Sequence, residues 1–335
     1  MLTFTLRRFL LAIPTLLVIS LVIFLLVDLA PGSPLSEIPL TVPPDVRQKM
    51  IAAMGADQPV FVRYFLWLRQ FFWVEPATLF DGWFGTNLAG DAQRILSWQS
   101  RSPVFTIIGQ RVPQTLTVIG SAYLIGILIA VPIGIYSAYR QYSWFDQAGT
   151  LFAMIGFSVP TFFSGTLFII IFAVWLGWFP TKYDTTLTVT DWQSLVRQMQ
   201  QMALPVMTLG LANAAAISRY MRSSMLENMG QDYVRTARAK GMSKRTVVLK
   251  HVLRNSMIPV VTVIALGIPS IFGGAIITEN LFGVNGIGAA LIGAIHANDI
   301  PMVQTLAFIF AILIVVFNLI SDVLYGLLDP RIRYE

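Results

Sequence analysis

The sequence contains no cysteine, so disulfide bonds and thiolate metal sites are excluded. Its two histidines, His251 and His296, lie far apart in the chain, which argues against a histidine-based zinc site. It also lacks the phosphate-loop patterns GxxxxGKS and GxxxxGKT, so the chain does not bind ATP through that motif. No arrangement of a nucleophile and a base stands out. We therefore expect no catalytic site, no metal and no cofactor.

Charged residues are scarce as well: they make up 12% of the chain, against 56% hydrophobic residues. This balance is too apolar for a soluble domain. Five long stretches hold no charged residue, and a further apolar run follows Arg7 and Arg8. A helix of about 20 residues crosses a bilayer core of roughly 30 Å. We predict an all-α integral membrane protein with six transmembrane helices, at residues 9–27, 112–139, 147–181, 198–218, 255–278 and 300–321.

The first apolar segment has a second interpretation, because a basic pair before an apolar run also begins a cleaved signal peptide. The run is longer than the apolar region of a typical signal peptide. No A-x-A cleavage site follows it, since the sequence there is VDLAPGSP. We favour a retained helix within residues 1–30.

The distribution of basic residues predicts the orientation of the chain. With both termini in the cytoplasm, the inner loop 219–255 holds nine basic residues, whereas the short outer segments 182–197 and 279–300 hold two and none. This matches the enrichment of Lys and Arg in inner loops. The long loop 31–111, which follows the first helix, then lies outside. Residues 112–335 form a five-helix core that includes the inner loop.

The formal net charge of +6 can indicate a nucleic-acid partner. The position of the charge argues against that interpretation. Residues 219–255 carry nine basic and two acidic residues, so the rest of the chain is close to neutral. We therefore expect no nucleic acid, and we assign the surplus to one cytoplasmic loop at the lipid bilayer.

Two segments of the outer loop have helical periodicity. In PPDVRQKMIAAMG, residues 43–55, the apolar residues share one helical face between Pro44 and Gly55. The next segment carries an aromatic stripe formed by Phe61, Tyr64, Phe65, Leu68 and Phe72. Two short amphipathic helices are therefore expected, lying on the membrane or packed as a structural cap. Docking of an external partner is the alternative role.

The inner loop ends in the strip DYVRTARAKGMSKRTVVLKHVLRNSMIP, residues 232–259, with seven Lys or Arg and one acidic residue. We predict a short helix that stops at Gly241, and a second helix that Ser243 caps and that enters the membrane near Pro259. Ala237 and Gly241 are four residues apart and are expected to form a small-residue patch that a partner can approach closely. A basic loop that contacts only lipid headgroups is the alternative, and the patch favours docking.

The segment DYVRTARAKG resembles the cytoplasmic EAA loop of ABC importer permeases, in the form found in the oligopeptide, dipeptide and nickel transport group. Residues 235–237 read Arg-Thr-Ala where the general pattern has Glu-Ala-Ala, a difference that is usual for the peptide subgroup. The chain is thereby identified as a member of this group, as its first or B-type permease. Further stretches resemble the group along nearly the whole chain: MLTFTLRRFLLAIPTLL, LAPGSP, MGADQPVFVRYFLWL, RVPQTLTV, GFSVPTFFSG and YGLLDPRIRY.

The resemblance implies that the short helix docks in a groove of a cytosolic ATPase and transmits ATP-driven closure to the membrane helices. The implied partners are a second homologous permease, two cytosolic ABC ATPases and an extracytoplasmic solute-binding protein, at the inner membrane of a bacterium or archaeon. The chain itself would form half of the translocation path for di- and oligopeptides and would not hydrolyse ATP. The residues implied in ATPase coupling are Arg235, Thr236, Ala237, Arg238, Lys240 and Gly241.

Several residues within the predicted spans are candidates for the translocation path or for hinges: Asn213, Gly267, Pro269, Gly273 and Gly274. A proline inside a membrane helix makes a kink, which is either fixed by packing or used as a hinge. Asn213 lies in a run of small residues that permits close helix packing. An interhelical hydrogen bond is the alternative to a substrate contact there.

Strongly ionisable residues are nearly absent from the centres of the spans, unlike in most ion-coupled transporters. A secondary transporter or channel that acts alone is nevertheless the alternative of another class. Within the ABC importers, nickel chelates, glutathione, opines and oligosaccharides are alternative substrates, since selection rests mainly with the binding protein.

Overall fold

The structure is a computed structural model that describes residues 2–29, 58–90, 92–273 and 276–328. These residues are predominantly helical, so the predicted all-α class is confirmed. In chain order the helices are α1 Leu2–Asp28, α2 Val60–Arg69, α3 Glu75–Phe84, α4 Val104–Thr115, α5 Ser121–Tyr139, α6 Trp144–Ser158, α7 Thr161–Phe168, α8 Trp192–Met229, α9 Asp232–Ala239, α10 Lys244–Thr246, α11 Leu253–Gly273, α12 Ile276–Phe282, α13 Ile287–His296 and α14 Ile300–Leu328.

Short π-helical segments continue several of these helices. Gln70–Val74 joins α2 to α3, Leu116–Gly120 joins α4 to α5, and Val247–Val252 joins α10 to α11, each without a break in the helix. Ile169–Trp175 extends α7. Consecutive α-helices joined in this way act as one longer rod, as α10 and α11 do.

Within the described residues, five helical stretches are long and apolar enough to cross a membrane: Thr5–Asp28, Val104–Tyr139, Trp192–Met229, Lys244–Pro269 and Ile300–Leu324. Two pairs of helices are bent at a short break, α6 with α7 by 105° and α12 with α13 by 89°. Each pair is either one broken span or a re-entrant loop. The integral membrane architecture is confirmed, whereas the number of six spans and the side of the termini stay predictions.

Residues 147–181 do not form the continuous span that the sequence predicted. α6 ends at Ser158 and α7 begins at Thr161. Val159 between them is extended, with φ −85° and ψ 124°, because a following proline disfavours the helical conformation. Pro160 also lacks the N–H that would continue the helix. A sharp turn therefore interrupts the predicted span.

The predicted cytoplasmic loop 219–255 is also more helical than expected. α8 continues to Met229, so residues 219–229 extend the preceding span as helix. At the other end, the rod of α10 and α11 begins at Lys244. Pro259 lies in the interior of this rod, as expected for a second helix that continues from Ser243 into the membrane. The loop is reduced to α9 and two short turns.

The described residues cluster into two compact units. These units do not correspond to the predicted segments 1–30, 31–111 and 112–335, which stay a prediction. The first unit takes its residues from 1–9, 113–289 and 313–335, and the second takes its residues from 10–112 and 290–312.

In the first unit, α5 packs along α8 at positions where glycine lets the two backbones approach. A Cβ atom at Gly134 would lie 2.6 Å from the Cβ of Met221 and 2.8 Å from the carbonyl oxygen of Ser218. A Cβ at Gly210 would lie 3.2 Å from the carbonyl oxygen of Ala122. Larger side chains would push the helices apart. This is the close packing that the small residues of α8 predicted.

The second unit is centred on aromatic side chains of α2 and α14. The rings of Trp67 and Phe71 pack against Phe308, with centroid distances of 5.2 and 4.9 Å. Below them, Glu75 is fully buried. Its Oε2 accepts from Arg94 Nη2 at 2.7 Å, and its Oε1 accepts from the backbone N–H of Ile95 at 3.0 Å. A buried carboxylate is thus compensated by a cation and a backbone donor.

The second amphipathic helix predicted in the outer loop is present as α2. Its aromatic stripe faces mostly outward: Phe61 and Phe65 are 69% and 66% exposed, whereas Tyr64 is buried. The buried face also includes Trp67, which the stripe did not contain. The first predicted amphipathic helix, residues 43–55, lies outside the described residues.

Candidate functional site

The basic strip, residues 232–254, folds as a short helix, a turn and a longer rod, as the sequence predicted. Gln231 is extended with φ −74° and ψ 152°, and α9 begins at Asp232. Gly241 ends it with φ +75°, a conformation that glycine adopts readily, and its N–H donates to the carbonyl of Arg238 at 2.9 Å. Ser243 Oγ then accepts from the N–H of Thr246 at 3.3 Å and caps α10.

α9 is amphipathic, and its apolar face is turned towards its own chain. Val234 and Ala237 are 1% and 6% exposed. Three positions apart on one helical face, they belong to a buried apolar cluster with Val247, Val248 and Met225. The surface patch predicted around Ala237 is therefore not formed, because its methyl group fills this cluster. Ala237 therefore anchors α9 to its own chain and does not form a surface that a partner could contact.

The opposite face of α9 is polar, basic and exposed. Arg235, Thr236 and Arg238 are exposed on this face, and Lys240 and Gly241, which directly follow the helix, are exposed as well. Arg235 lies 3.6 Å from Asp232, but both side chains are more than four-fifths exposed, so this pair contributes little to stability. Five of the six residues predicted to couple to an ATPase thus share one surface, and Ala237 lies beneath it.

The basic residues in the rest of the strip are exposed as well. Arg245, Lys250 and Arg254 are exposed on the rod that follows α9. Lys244 lies over the ring of Tyr139, with 4.6 Å between Nζ and the ring centroid. Most of the strip's cations therefore face solvent and are available to an acidic partner.

One polar contact connects α9 to α8, and two further hydrogen bonds join α8 to α11. Tyr233 Oη donates to Asn228 Oδ1 at the end of α8, at 2.9 Å. Ser224 Oγ donates to the carbonyl of Ser256 at 2.9 Å, and Ser256 Oγ donates back to the carbonyl of Ser224 at 3.2 Å. These two bonds are buried and join α8 to α11. α9 is thus bonded to α8, which is in turn bonded to α11.

A further contact fixes the base of α8. Arg222 binds Asp146 in a bidentate pair, with Nε–Oδ1 and Nη2–Oδ2 distances of 2.6 and 2.8 Å. Asp146 also accepts the N–H of Tyr142, just before α6. Two hydrogen bonds in a planar geometry hold the guanidinium in one orientation. α6 and α8 are therefore coupled close to the strip.

The described candidates for the translocation path or for hinges lie in α8 and α11. Asn213 is half-buried, and a Cβ on Gly126 would lie 3.0 Å from its Cβ. A Cβ at Gly267 would lie 2.2 Å from Tyr123 Oη, which donates to the carbonyl of Ile264 at 2.6 Å. Gly267 is thus a point of close packing. Movement of α11 there would require Tyr123 to move with it.

The remaining hinge candidates are less well defined. Pro269 lies inside α11, within the same rod. Gly273 is the last residue of α11, and Gly274 lies outside the described residues.

Sequence reasoning missed the residues that anchor α9. The signal for Val234 was present, because an apolar residue three positions before Ala237 defines an inward face. The contacts of Tyr233 and Ser224 had no such signal, since their partners are fixed only by tertiary packing.

Two protein-family models match this chain. Residues 130–334 match the family model described as "Binding-protein-dependent transport system inner membrane component". Residues 1–119 match its N-terminal companion, "Binding-prot-dependent transport system membrane comp, N-term". Together these matches cover nearly the whole chain.

Individual relatives extend the match from end to end. The oligopeptide transport system permease protein AppB of Bacillus subtilis is 35% identical over 338 residues, with 100% of both chains covered. The glutathione transport system permease protein GsiC of Salmonella choleraesuis is 36% identical over 339 residues, again with 100% of both covered. A chain from "Crystal structure of an amino acid ABC transporter with histidines" covers 68% of this chain and 95% of its own length, with 14% identity and a TM-score of 0.46.

Proposed function

Because the chain belongs to the family of binding-protein-dependent transport system inner membrane components, we propose that it forms half of the translocation path of a peptide importer. It is a non-catalytic membrane subunit of an ABC importer at the inner membrane, and ATP hydrolysis resides in partner subunits. The proposed assembly contains this chain, a second homologous permease, two cytosolic ATPases and an extracytoplasmic solute-binding protein.

The observation that carries the coupling role is the two-faced arrangement of α9. Its inner face is held by Val234 and Ala237, and its outer face presents Arg235 and Arg238 to solvent. A helix that is anchored on one side and cationic on the other suits docking on an acidic groove of an ATPase. Complementary charge of this kind speeds association and fixes orientation.

The mechanism is a shift of populations between inward-open and outward-open states. Closure of the two ATPases on ATP moves α9. Tyr233 passes this motion to α8, and the short turn at Gly241 passes it to the rod of α10 and α11. Rotation of these helices opens or closes the path near Asn213 and the Gly267–Pro269 segment. Nucleotide biases the equilibrium because the docked ATPases differ in separation between states.

Short peptides are the proposed substrates. One full-length relative is named for oligopeptide transport and another for glutathione transport. Both names denote compounds with peptide bonds and free carboxylates. Nickel chelates, opines and oligosaccharides are the competing substrates, and uptake assays with labelled members of each class separate them.

The test of the assembly is a pull-down of the tagged chain from native membranes in mild detergent, followed by mass spectrometry. We expect to recover Walker-motif ATPases, a second permease and a solute-binding protein. The Thr236→Trp variant, altered on the exposed face of α9, should retain the second permease and lose the ATPases. Recovery of the chain alone, with peptide uptake that survives loss of the ATPases, would instead favour a transporter that acts by itself.

A further inference from the structure

The second unit contains a cavity of about 260 Å³ beside the start of α14. Trp67 of α2 and Gln304 of α14 line one part of it, and the segment from Gln93 to Arg101 lines another. Pockets for whole drug-sized molecules usually span ~300–1,000 Å³. This cavity has room for one amino-acid residue or a similar fragment. In the predicted orientation it lies on the outer side of the membrane.

Two buried hydrogen-bond donors line the cavity without a partner. Trp67 Nε1 and Gln304 Nε2 have no hydrogen-bond partner among the described residues, and each residue is only 6% exposed. An unpaired buried donor costs about 1–3 kcal/mol. The terminal amide of glutamine turns over a broad range of angles, so a small rotation presents Gln304 to a bound acceptor. The cavity therefore lacks an acceptor that these groups would satisfy.

The charges that line the cavity are positive. Arg94 is partly exposed and pairs with the buried Glu75, and Arg101 is exposed without an ion pair to any residue that the structure describes. Among the described residues that line the cavity there is no carboxylate. Arg101 has φ +59°, an unfavourable conformation for arginine, and its N–H is held by the carbonyl of Ser97 at 3.0 Å. The turn therefore holds the backbone from which this side chain extends at the edge of the cavity.

The turn is itself held by a buried carboxylate, that of Asp299. Asp299 accepts from Ser97 Oγ and, at 3.0 Å, from the backbone N–H of Trp98. Ile95, Trp98 and Pro301 supply apolar walls to the cavity. A cation at the cavity edge, neutral donors and an apolar wall together match a group that is anionic at one end and apolar at the other.

We propose that this cavity binds the carboxylate of the C-terminal residue of the transported peptide. The inference rests on the proposed peptide function and assigns a subsite to it. A carboxylate offers two planar oxygens that accept from Arg101, Gln304 and Trp67 together. The side chain of the same residue packs on the apolar wall.

The test uses the full-length chain in lipid nanodiscs and two probes that differ only at one end. N-acetyl-L-phenylalanine carries the carboxylate, and N-acetyl-L-phenylalanine amide replaces it by a neutral group. Equilibrium binding of the radiolabelled acid should be at least about tenfold tighter than binding of the amide, because the amide leaves the cation unpaired. This comparison needs no mutation.

Matched variants then locate the site. Trp67→Phe removes one N–H and keeps the aromatic packing, and Gln304→Leu removes the amide. Each should weaken binding of the acid by roughly tenfold. The controls are Trp73→Phe and Arg69→Gln, both on or next to α2 and outside the cavity, which should leave binding unchanged. Equal binding of acid and amide, or no binding of either, would overturn the proposal and leave a cavity filled by water.

The source of the carboxylate is tested in the complete importer. Gln304→Leu should raise the KM for uptake of peptides with a free C-terminus and leave amidated peptides unaffected. In the opposite outcome, the acid binds at the site while Gln304→Leu reduces uptake of free and amidated peptides equally. That result would rule out the peptide as the source of the carboxylate and would assign it to a docked protein. Failure of the proposed function is distinguishable, because the wild-type importer would then take up no peptide while probe binding persisted.

Discussion

The basic strip and the second unit use charged residues in opposite ways. In the second unit the carboxylates of Asp28 and Glu75 pair with Arg63 and Arg94, at 2.6 and 2.7 Å. In the strip, seven cations share one acidic residue, and its only ion pair among the described residues is exposed and long. The second unit thus pairs its buried and half-buried carboxylates within the fold, whereas the strip leaves most of its cations exposed for a partner.

This difference separates charges that hold the fold from charges that serve an interface. A buried ion pair is strongly destabilised when one partner is removed, because the other charge stays uncompensated. An exposed cation contributes little to stability and is free to associate. Substitutions in the second unit should therefore change stability, whereas substitutions on the outer face of α9 should change binding. The predictions below test that division.

The largest effect is expected for Glu75→Ala. The change leaves Arg94 and a backbone N–H without their acceptor in a buried site, which should destabilise the protein by about 3 kcal/mol. Unfolding temperature in nanodiscs measures this change. Glu227→Ala, at an exposed position of α8, is the control and should shift it little. Similar shifts in the two variants would show that the pair in the second unit is not structural.

A smaller effect distinguishes the two faces of α9. Ala237→Trp places a large ring in a filled cluster and should cost about 1–3 kcal/mol while displacing α9. Thr236→Trp, on the exposed face, should leave stability unchanged and obstruct the ATPase groove. Both variants should insert into the membrane and lose the ATPases in a pull-down, but only Ala237→Trp should also lower the unfolding temperature. Normal assembly of both variants would contradict the coupling role of α9.

The sequence was sufficient to predict the helical class, the short helix before Gly241 and the cap at Ser243, because each depends on local residue chemistry. It did not predict that Ala237 is buried, since the face of an eight-residue helix that packs inward is decided by its neighbours. The sequence predicted one continuous span across Pro160, because a bend of 105° depends on the packing of both halves. The acceptor-deficient cavity in the second unit gave no signal, as its donors come from distant segments.

The third prediction concerns the charge of the outer face directly. Arg235→Ala with Arg238→Ala should weaken ATPase docking by roughly tenfold at low salt, since each contributes an exposed charge interaction of up to about 1 kcal/mol. The difference should shrink as ionic strength rises, because salt screens exposed charges. Docking affinity measured across a salt series tests this.

The matched control is Arg140→Ala, at an exposed arginine of another predicted inner loop. It should leave the docking affinity unchanged at every salt concentration. A docking affinity that changes neither with the double substitution nor with the salt concentration would mean that the outer face of α9 docks through shape alone. The distinction between paired and free charges would then not explain the strip.

The smallest effect is expected at the turn between α9 and the rod. No atom lies within 4 Å of a Cβ placed on Gly241, so Gly241→Ala meets only backbone strain at φ +75°, about 1 kcal/mol. Gly241→Asn is the matched control, because asparagine tolerates this conformation better. Neither should alter docking, since the exposed cations are unchanged. If α9 passes motion through this turn, Gly241→Ala should lower peptide uptake per ATP hydrolysed more than Gly241→Asn does. Equal ratios would leave the contact of Tyr233 with Asn228 as the main route from the ATPase to the membrane helices.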